Sequence, residues 1–145
     1  MEELLQLKEY LTEARYDEAM MLVEELEDMA KDDKITRISS FAEIMLIHLI
    51  KQSVERRTTR SWDDSILRAT EQIIRTNKRR KAGGYYLIRT ELQEAFEEAY
   101  ASSLRRASRE AFEGAHSPQE IEKLFDKNAL LDKALRLILD EQQAQ

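Results

Sequence analysis

The chain has two histidines, His48 and His116, which are its first candidates for acid–base or metal chemistry. Glu113 lies three residues before His116, and this Glu-x-x-His spacing is the one that di-iron helical bundles use. Such a site needs a second Glu-x-x-His pair and two further inward-facing glutamates, whereas His48 has Met45 at the corresponding position. We therefore interpret His116 as a loop residue at a helix terminus, and we predict no metal site.

His48 lies on the most apolar stretch of the chain, between Ile44 and Ile50. A buried imidazole needs a hydrogen-bond partner or a place at the edge of the core, because an unsatisfied polar group is costly in an apolar environment. One interpretation makes His48 a general base or a pH switch. The simpler interpretation is a core histidine with a partner, since the sequence suggests no nucleophile or second base near it.

The remaining sequence features that could support catalysis are weak. Glu24, Glu25, Glu27 and Asp28 could supply paired carboxylates, but such pairs need a concave, partly buried setting. They lie opposite an apolar helical stripe, so we interpret them as a solvated helix face. The chain has no Cys, which excludes disulfides and thiolate metal sites, and its three Gly cannot supply a nucleotide-binding glycine motif. We expect no cofactor and assign no catalytic residue.

Positive charge is concentrated in the centre of the chain. The segment from Lys51 to Arg89 has 11 Lys+Arg against 4 Asp+Glu, a net charge of +7, and the remainder carries -13. Residues 1–34 alone hold 12 acids against 4 bases. The central cations form two clusters, one at each end of a single predicted helix. The first comprises Arg56, Arg57 and Arg60, and the second comprises Arg75, Lys78, Arg79, Arg80 and Lys81.

Three interpretations of these clusters remain open. They could bind nucleic-acid phosphates, with Trp62 or Tyr85 and Tyr86 stacking on bases. They could instead pair with an acidic protein partner or with the acidic helix of another copy of the chain. The third possibility is that acidic and basic faces of one bundle complement each other. A net charge of -6 disfavours nonspecific nucleic-acid binding, so we rank nucleic acid below a protein partner.

Helices must position all of these residues, because the apolar spacing is helical and no stretch alternates as a strand would. The predicted helices span about 4–11, 17–30, 32–54, 61–81, 85–112, 118–125 and 128–138. We expect Asp17, Ser61, Ser117 and Asn128 to cap four of them. The helix from 32 to 54 is apolar nearly all round at its centre, which predicts that other helices cover it on several sides. The tail from 140 to 145 is expected to fray.

The length of 145 residues predicts one compact domain spanning residues 1–145, large enough to bury a core without cross-links. We therefore predict an all-α fold, a single compact bundle of about seven helices with two long central helices. The longest apolar run is interrupted by His48 and is far shorter than a membrane span. We expect no membrane partner and a cytoplasmic location.

Three segments of the chain together resemble a known family. They are Val23–Met29, Leu46–Lys51 and Arg60–Ile66, and their order and spacing are similar to the signature blocks of domain-of-unknown-function family twenty-nine, which is mostly cyanobacterial. Tyr100 and the segment at Ser117 fit the family's C-terminal half. The aromatic-rich lead-in is absent, and Glu113 begins Glu-Gly-Ala-His where the family has Glu-Thr-Gly-Leu, so we identify a divergent subfamily.

This resemblance implies a small helical domain and no established activity. It also singles out six residues, namely His48, Lys51, Arg60, Ser61, Trp62 and Ile66. We interpret Ser61 as a helix cap and Ile66 as core, and we take His48, Lys51, Arg60 and Trp62 as a candidate functional cluster. Our leading hypothesis is a non-enzymatic protein–protein interaction module that works as a homo-oligomer. The first alternative is nucleic-acid binding through the basic clusters at 56–60 and 75–81, and the second is an enzyme that uses His48.

Overall fold

The computed structural model describes residues 2–79 and 83–144. Those residues form helices and no named strand, which confirms the all-α prediction. The helices are α1 (Glu2–Thr12), α2 (Tyr16–Glu55), α3 (Arg60–Asn77), α4 (Arg89–Glu110), α5 (Pro118–Glu122) and α6 (Lys127–Ala144), with a 3-10 turn at Ala111–Gly114. In the described ranges no helix is both long enough and apolar enough to cross a bilayer.

The chain divides into two compact units, one ending at Lys34 and the other beginning at Ile35. The first unit contains α1 and the beginning of α2, and the second contains the remainder of α2 with α3 to α6. The expectation that the whole chain is one domain stays a prediction.

The described residues form six α-helices where the sequence predicted seven, because the segments 17–30 and 32–54 are one helix. The predicted break relied on Asp32 as a helix start. Neither Gly nor Pro occurs between Tyr16 and Glu55, so nothing in the backbone forces the helix to end there. The two long helices of the prediction correspond to α2 and α4.

Three helix starts also differ from the predicted caps. α3 begins at Arg60, and its N-cap is Thr59, whose Oγ1 accepts from the Trp62 backbone N at 3.1 Å. The predicted cap of α6 was Asn128, but Asp126 Oδ1 accepts the hydrogen bond from the backbone N of Ala129 at 3.2 Å. Asp17 does not cap α2, which already begins at Tyr16. The predicted cap Ser117 is confirmed, because its side chain accepts from Glu120 N.

The segment before α4 is not helical, and it pairs with the end of α3. Tyr86 N donates to Asn77 O at 2.8 Å, and Arg79 N donates to Gly84 O at 3.0 Å. The buried amide of Asn77 completes the contact, because it accepts from Leu87 N at 2.7 Å and donates to Leu87 O at 3.2 Å. α4 therefore begins at Arg89 rather than at Tyr85.

The helix α6 continues to Ala144, past the point where we expected the chain to fray. Gln142 is buried and its Oε1 accepts a hydrogen bond from Asn77 Nδ2 at 3.2 Å. The backbone oxygen of Gln142 accepts a further hydrogen bond from Tyr85 Oη at 3.1 Å. These contacts hold the polar end of α6 against the end of α3.

The core of the second unit surrounds the C-terminal half of α2. Met45, Leu46 and Ile50 are fully buried there, as predicted for a helix covered on several sides, although Ile44 is 37% exposed. The faces packed around them include Ala69, Ile73 and Ile74 of α3, Leu92 and Phe96 of α4, and Leu131, Leu135 and Ile138 of α6. This apolar packing fixes the positions of the polar residues on α2.

Candidate functional site

Lys51 is the central residue of the predicted cluster, and it is buried on α2. Its Nζ donates a hydrogen bond to Glu110 Oε1 at 3.0 Å and lies 4.7 Å from the centre of the Trp62 ring. A buried ammonium is tolerated only when groups of this kind replace its hydration. Lys51 therefore joins the C-terminal part of α2 to the last turn of α4 and to the first turn of α3.

Trp62 lies between two cations. Besides Lys51, the guanidinium of Arg57 lies over the same ring at 4.6 Å from the centroid. Arg57 Nε also donates to Glu55 Oε1 at 3.0 Å. Attraction between a cation and an aromatic ring is strongest for Trp, so both contacts favour the packed position of the indole. The ring is only 9% exposed, which leaves little of it for an external ligand.

His48 lies one turn before Lys51 and is half-buried. Its Nδ1 is buried and has no hydrogen-bond partner among the described residues. Burial lowers the pKa of His48 below its ordinary value of 6.5. The positive charges of Lys51 and Arg106 lower this pKa further, whereas the negative charge of Glu110 acts in the opposite direction.

A second polar contact between α2 and α4 lies before His48, nearer the start of α2. Glu43 Oε1 accepts a hydrogen bond from Ser102 Oγ at 2.6 Å, and Arg106 Nη1 lies 3.4 Å from the same oxygen. At the other end, Glu55 Oε2 accepts from the backbone N of Phe112 at 3.3 Å. We call this line of polar residues the α2–α4 seam. It comprises Glu43, His48, Lys51 and Glu55 of α2 with Ser102, Arg106 and Glu110 of α4.

The structure brings together three of the four predicted cluster residues. His48, Lys51 and Trp62 meet in or beside the α2–α4 seam, whereas Arg60 is exposed at the start of α3 and forms no ion pair within residues 2–79 and 83–144. Sequence reasoning missed Glu110. Polar residues recur every three to five positions on α2 and could have indicated its half of the seam, but nothing in the sequence links them to a glutamate 59 residues away.

The two basic clusters differ in how their charges are used. In the first, Arg57 contacts Trp62 and Glu55, while Arg56 and Arg60 are exposed. In the second, Arg75, Lys78 and Arg79 are exposed, and Arg79 lies 5.2 Å from the centre of the Tyr86 ring. Arg80 and Lys81, which were assigned to the same cluster, lie outside the described residues. The aromatic residues proposed for base stacking thus already contact protein groups, since Tyr85 Oη donates to Gln142 O.

His116 lies in the loop between the 3-10 turn and α5. His116 Nδ1 lies 3.4 Å from Glu120 Oε2, and its ring meets that of Phe112 edge-on at 5.2 Å. Within the described ranges, no three His, Asp or Glu side chains are arranged so that they could hold a metal ion. The acids of the other candidate cluster, Glu24, Glu25, Glu27 and Asp28, are all exposed on α2.

The first unit exposes an unusual share of the large apolar side chains. Seven of the twelve such side chains that are exposed among the described residues lie before Lys34. They are Leu4, Leu5, Leu11, Tyr16, Met20, Met21 and Met29. In the same unit only Ala19 and Leu22 are buried among the residues described. We call these seven residues, with the exposed acids Glu24, Glu25, Glu27 and Asp28, the apolar–acidic surface.

The chain belongs to the family described as Domain of unknown function DUF29, which it matches over residues 5–134. This match begins within α1 and ends in the first half of α6, so most of both units and all residues of the seam lie inside it. No curated protein and no solved structure matches the chain.

Proposed function

We propose that this member of the family is a non-enzymatic protein–protein interaction module, and that its docking surface is the apolar–acidic surface of the first unit. The observation that carries the proposal is the exposure of large apolar side chains there: Leu5 is 65% exposed and Met21 is 68% exposed. An accumulation of large exposed apolar side chains is typical of surfaces that bind another protein. A cytoplasmic location, expected from the cysteine-free composition, is part of this proposal.

The composition of the surface favours a protein partner. Three of the exposed apolar residues are Met20, Met21 and Met29. Methionine side chains are flexible and polarizable, and they are frequent on surfaces that adapt to other proteins. The neighbouring carboxylates add a directional electrostatic attraction for a partner with positive charge.

The α2–α4 seam supports a structural role for the residues that first suggested catalysis. Lys51 and Glu110 bond each other, and Glu43 bonds Ser102. A catalytic acid or base has to reach a substrate atom within hydrogen-bonding distance. These groups instead join α2 to α4, which supports a structural role for Lys51, Glu110, Glu43 and Ser102.

Site-specific photocrosslinking in the native host tests the proposal. A photoreactive residue in place of Met21 should give one discrete protein adduct, whose partner is identified by mass spectrometry. The matched control carries the same residue in place of Leu124, which is 53% exposed in the second unit. The double variant Leu4→Gln/Leu11→Gln should abolish the adduct at position 21, because it removes two apolar contacts without changing charge. No adduct at position 21, or the same adduct at both positions, would contradict the proposal.

A further inference from the structure

The two units carry opposite net charges. Residues 1–34 hold 4 Lys+Arg against 12 Asp+Glu, a net charge of -8, whereas residues 35–145 hold 19 Lys+Arg against 17 Asp+Glu, a net charge of +2. Docking two first units on each other would bring two strongly negative surfaces together, and like charges in an interface are costly. A partner for the apolar–acidic surface should therefore present cations beside an apolar side chain.

The second unit has such a surface where α3 ends. Asn77 bonds both backbone groups of Leu87, which brings Ile88 and Arg89 next to the last turn of α3. Ile88 is 64% exposed, and Arg89 is exposed beside it. We call Arg75, Lys78, Ile88 and Arg89 the basic end of α3.

The charges of the basic end are available to a partner. Arg75, Lys78 and Arg89 are exposed, and none of them forms an ion pair within the part of the chain that the structure describes. The opposite end of α3 is less suited to bind an acidic surface, because Arg57 there already pairs with Glu55 and lies over the Trp62 ring.

We propose that the apolar–acidic surface of one copy docks on the basic end of α3 of a second copy. This inference rests on the proposed function and names the partner of its docking surface. The two surfaces are different, so the interface is heterologous, and each copy keeps one surface of each kind for a further copy. Carboxylates such as Glu24 and Asp28 then face Lys78 and Arg89, and the exposed apolar side chains of the first unit cover Ile88.

Complementation between two variants of the full chain tests this arrangement. Glu24→Lys/Asp28→Lys reverses charge on the apolar–acidic surface, and Lys78→Glu/Arg89→Glu reverses charge on the basic end. By sedimentation velocity at high micromolar concentration, the unaltered protein should associate, and each variant alone should lose association by about tenfold or more. An equimolar mixture should associate again, because each variant keeps the surface that the other has lost. Raising the salt concentration should weaken every association.

Arg56→Glu/Arg60→Glu is the matched control, since it makes the same charge change at the other end of α3. It should associate like the unaltered protein, and circular dichroism should show that all variants are helical. If Lys78→Glu/Arg89→Glu alone still associates, or if the control loses association equally, the inference is overturned. A monomeric unaltered protein also overturns it. In that case a crosslinked adduct with a different protein at position 21 would leave the proposed function standing, whereas the lack of any adduct would remove both.

Discussion

Lys51 Nζ lies 3.0 Å from Glu110 Oε1, although the two residues are 59 positions apart in the chain. The two side chains differ in exposure, because that of Lys51 is 8% exposed and that of Glu110 is 46% exposed. The lysine has exchanged its hydration for this contact and for the Trp62 ring, while the glutamate keeps much of its own hydration. The contact is therefore unequal: the ammonium depends on the carboxylate more than the carboxylate depends on it.

The first prediction follows from this inequality. Glu110→Gln should lower the free energy of unfolding by about 1–3 kcal/mol, because it leaves a buried ammonium without its counter-charge. Lys51→Met should cost less, since Met keeps the apolar stem against Trp62 and the half-exposed carboxylate of Glu110 is hydrated. Urea unfolding at neutral pH measures both changes. A larger loss for Lys51→Met than for Glu110→Gln would contradict the unequal roles.

The second prediction concerns pH and His48. Its pKa in the folded protein is lowered by burial and by Lys51 and Arg106, so on acidification the unfolded chain takes up this proton first. The folded state is fully favoured by neutral His48 above the pKa of this group in the unfolded chain, near 6.5. This contribution to stability is lost as the pH falls toward the lower pKa of His48 in the folded protein. His48→Leu should therefore lose less Tm than the unaltered protein between about pH 7.5 and about pH 5.5. His116→Leu, at an exposed histidine, is the matched control and should retain the acid-induced loss. If Tm falls on acidification as steeply in His48→Leu as in the unaltered protein, His48 is not the source of the acid-induced loss.

The third prediction concerns Asn77, a fully buried amide that sequence reasoning placed only within a basic segment. Its side chain satisfies both backbone groups of Leu87 and also bonds Gln142. Asn77→Ala should cost about 2–4 kcal/mol, because it leaves a buried N–H and C=O without partners. Gln142→Ala should cost clearly less, since it leaves the Leu87 bonds intact. Thermal and urea unfolding of both variants measure the difference, and equal losses would argue against this role.

The fourth prediction concerns three consecutive residues with positive φ after α4, namely Phe112 (50°), Glu113 (58°) and Gly114 (79°). Glu113→Gly should raise the free energy of unfolding by up to about 1 kcal/mol, because glycine adopts this conformation without the penalty of a side chain. Gly114→Ala should lower it, since the new Cβ would lie 3.1 Å from the backbone oxygen of Arg109. Differential scanning calorimetry measures the opposite shifts in Tm. If both substitutions shift Tm in the same direction, residues 113 and 114 do not have the positive φ angles on which this prediction depends.

The fifth prediction concerns the nucleic-acid alternative. Trp62 is packed against Lys51 and Arg57 and is largely buried, so its ring is not free to stack on a base, and the hydroxyl of Tyr85 is already bonded to Gln142. We expect no shift of single-stranded or double-stranded DNA or RNA in a gel at about 50 mM salt, a condition that favours phosphate contacts. A shift that is lost in Lys78→Glu/Arg89→Glu but kept in Arg56→Glu/Arg60→Glu would instead assign the basic end of α3 to nucleic acid.

The sequence alone determined the helical fold and the burial of the apolar stretch in the C-terminal half of α2. The apolar run from Ile44 to Ile50 required cover on several sides, because side chains point in all directions around a helix axis. The start of α5 was also predictable, since the capping signal from Ser117 to Glu120 is entirely local. The charge division of the chain was likewise readable, as it depends on composition alone.

Only the tertiary structure decided which polar residues meet. Glu110 joins Lys51, and Asn77 joins Leu87 and Gln142, because helix packing brings together residues that are far apart in the chain. The continuity of α2 was also beyond local signals, since aspartates that can cap a helix are equally able to lie within one. The apolar stripe of the first unit looked like core in the sequence. Apolar spacing shows which face a helix would bury, but whether the chain itself supplies the cover depends on packing, and for Leu4, Leu11 and Met29 it does not.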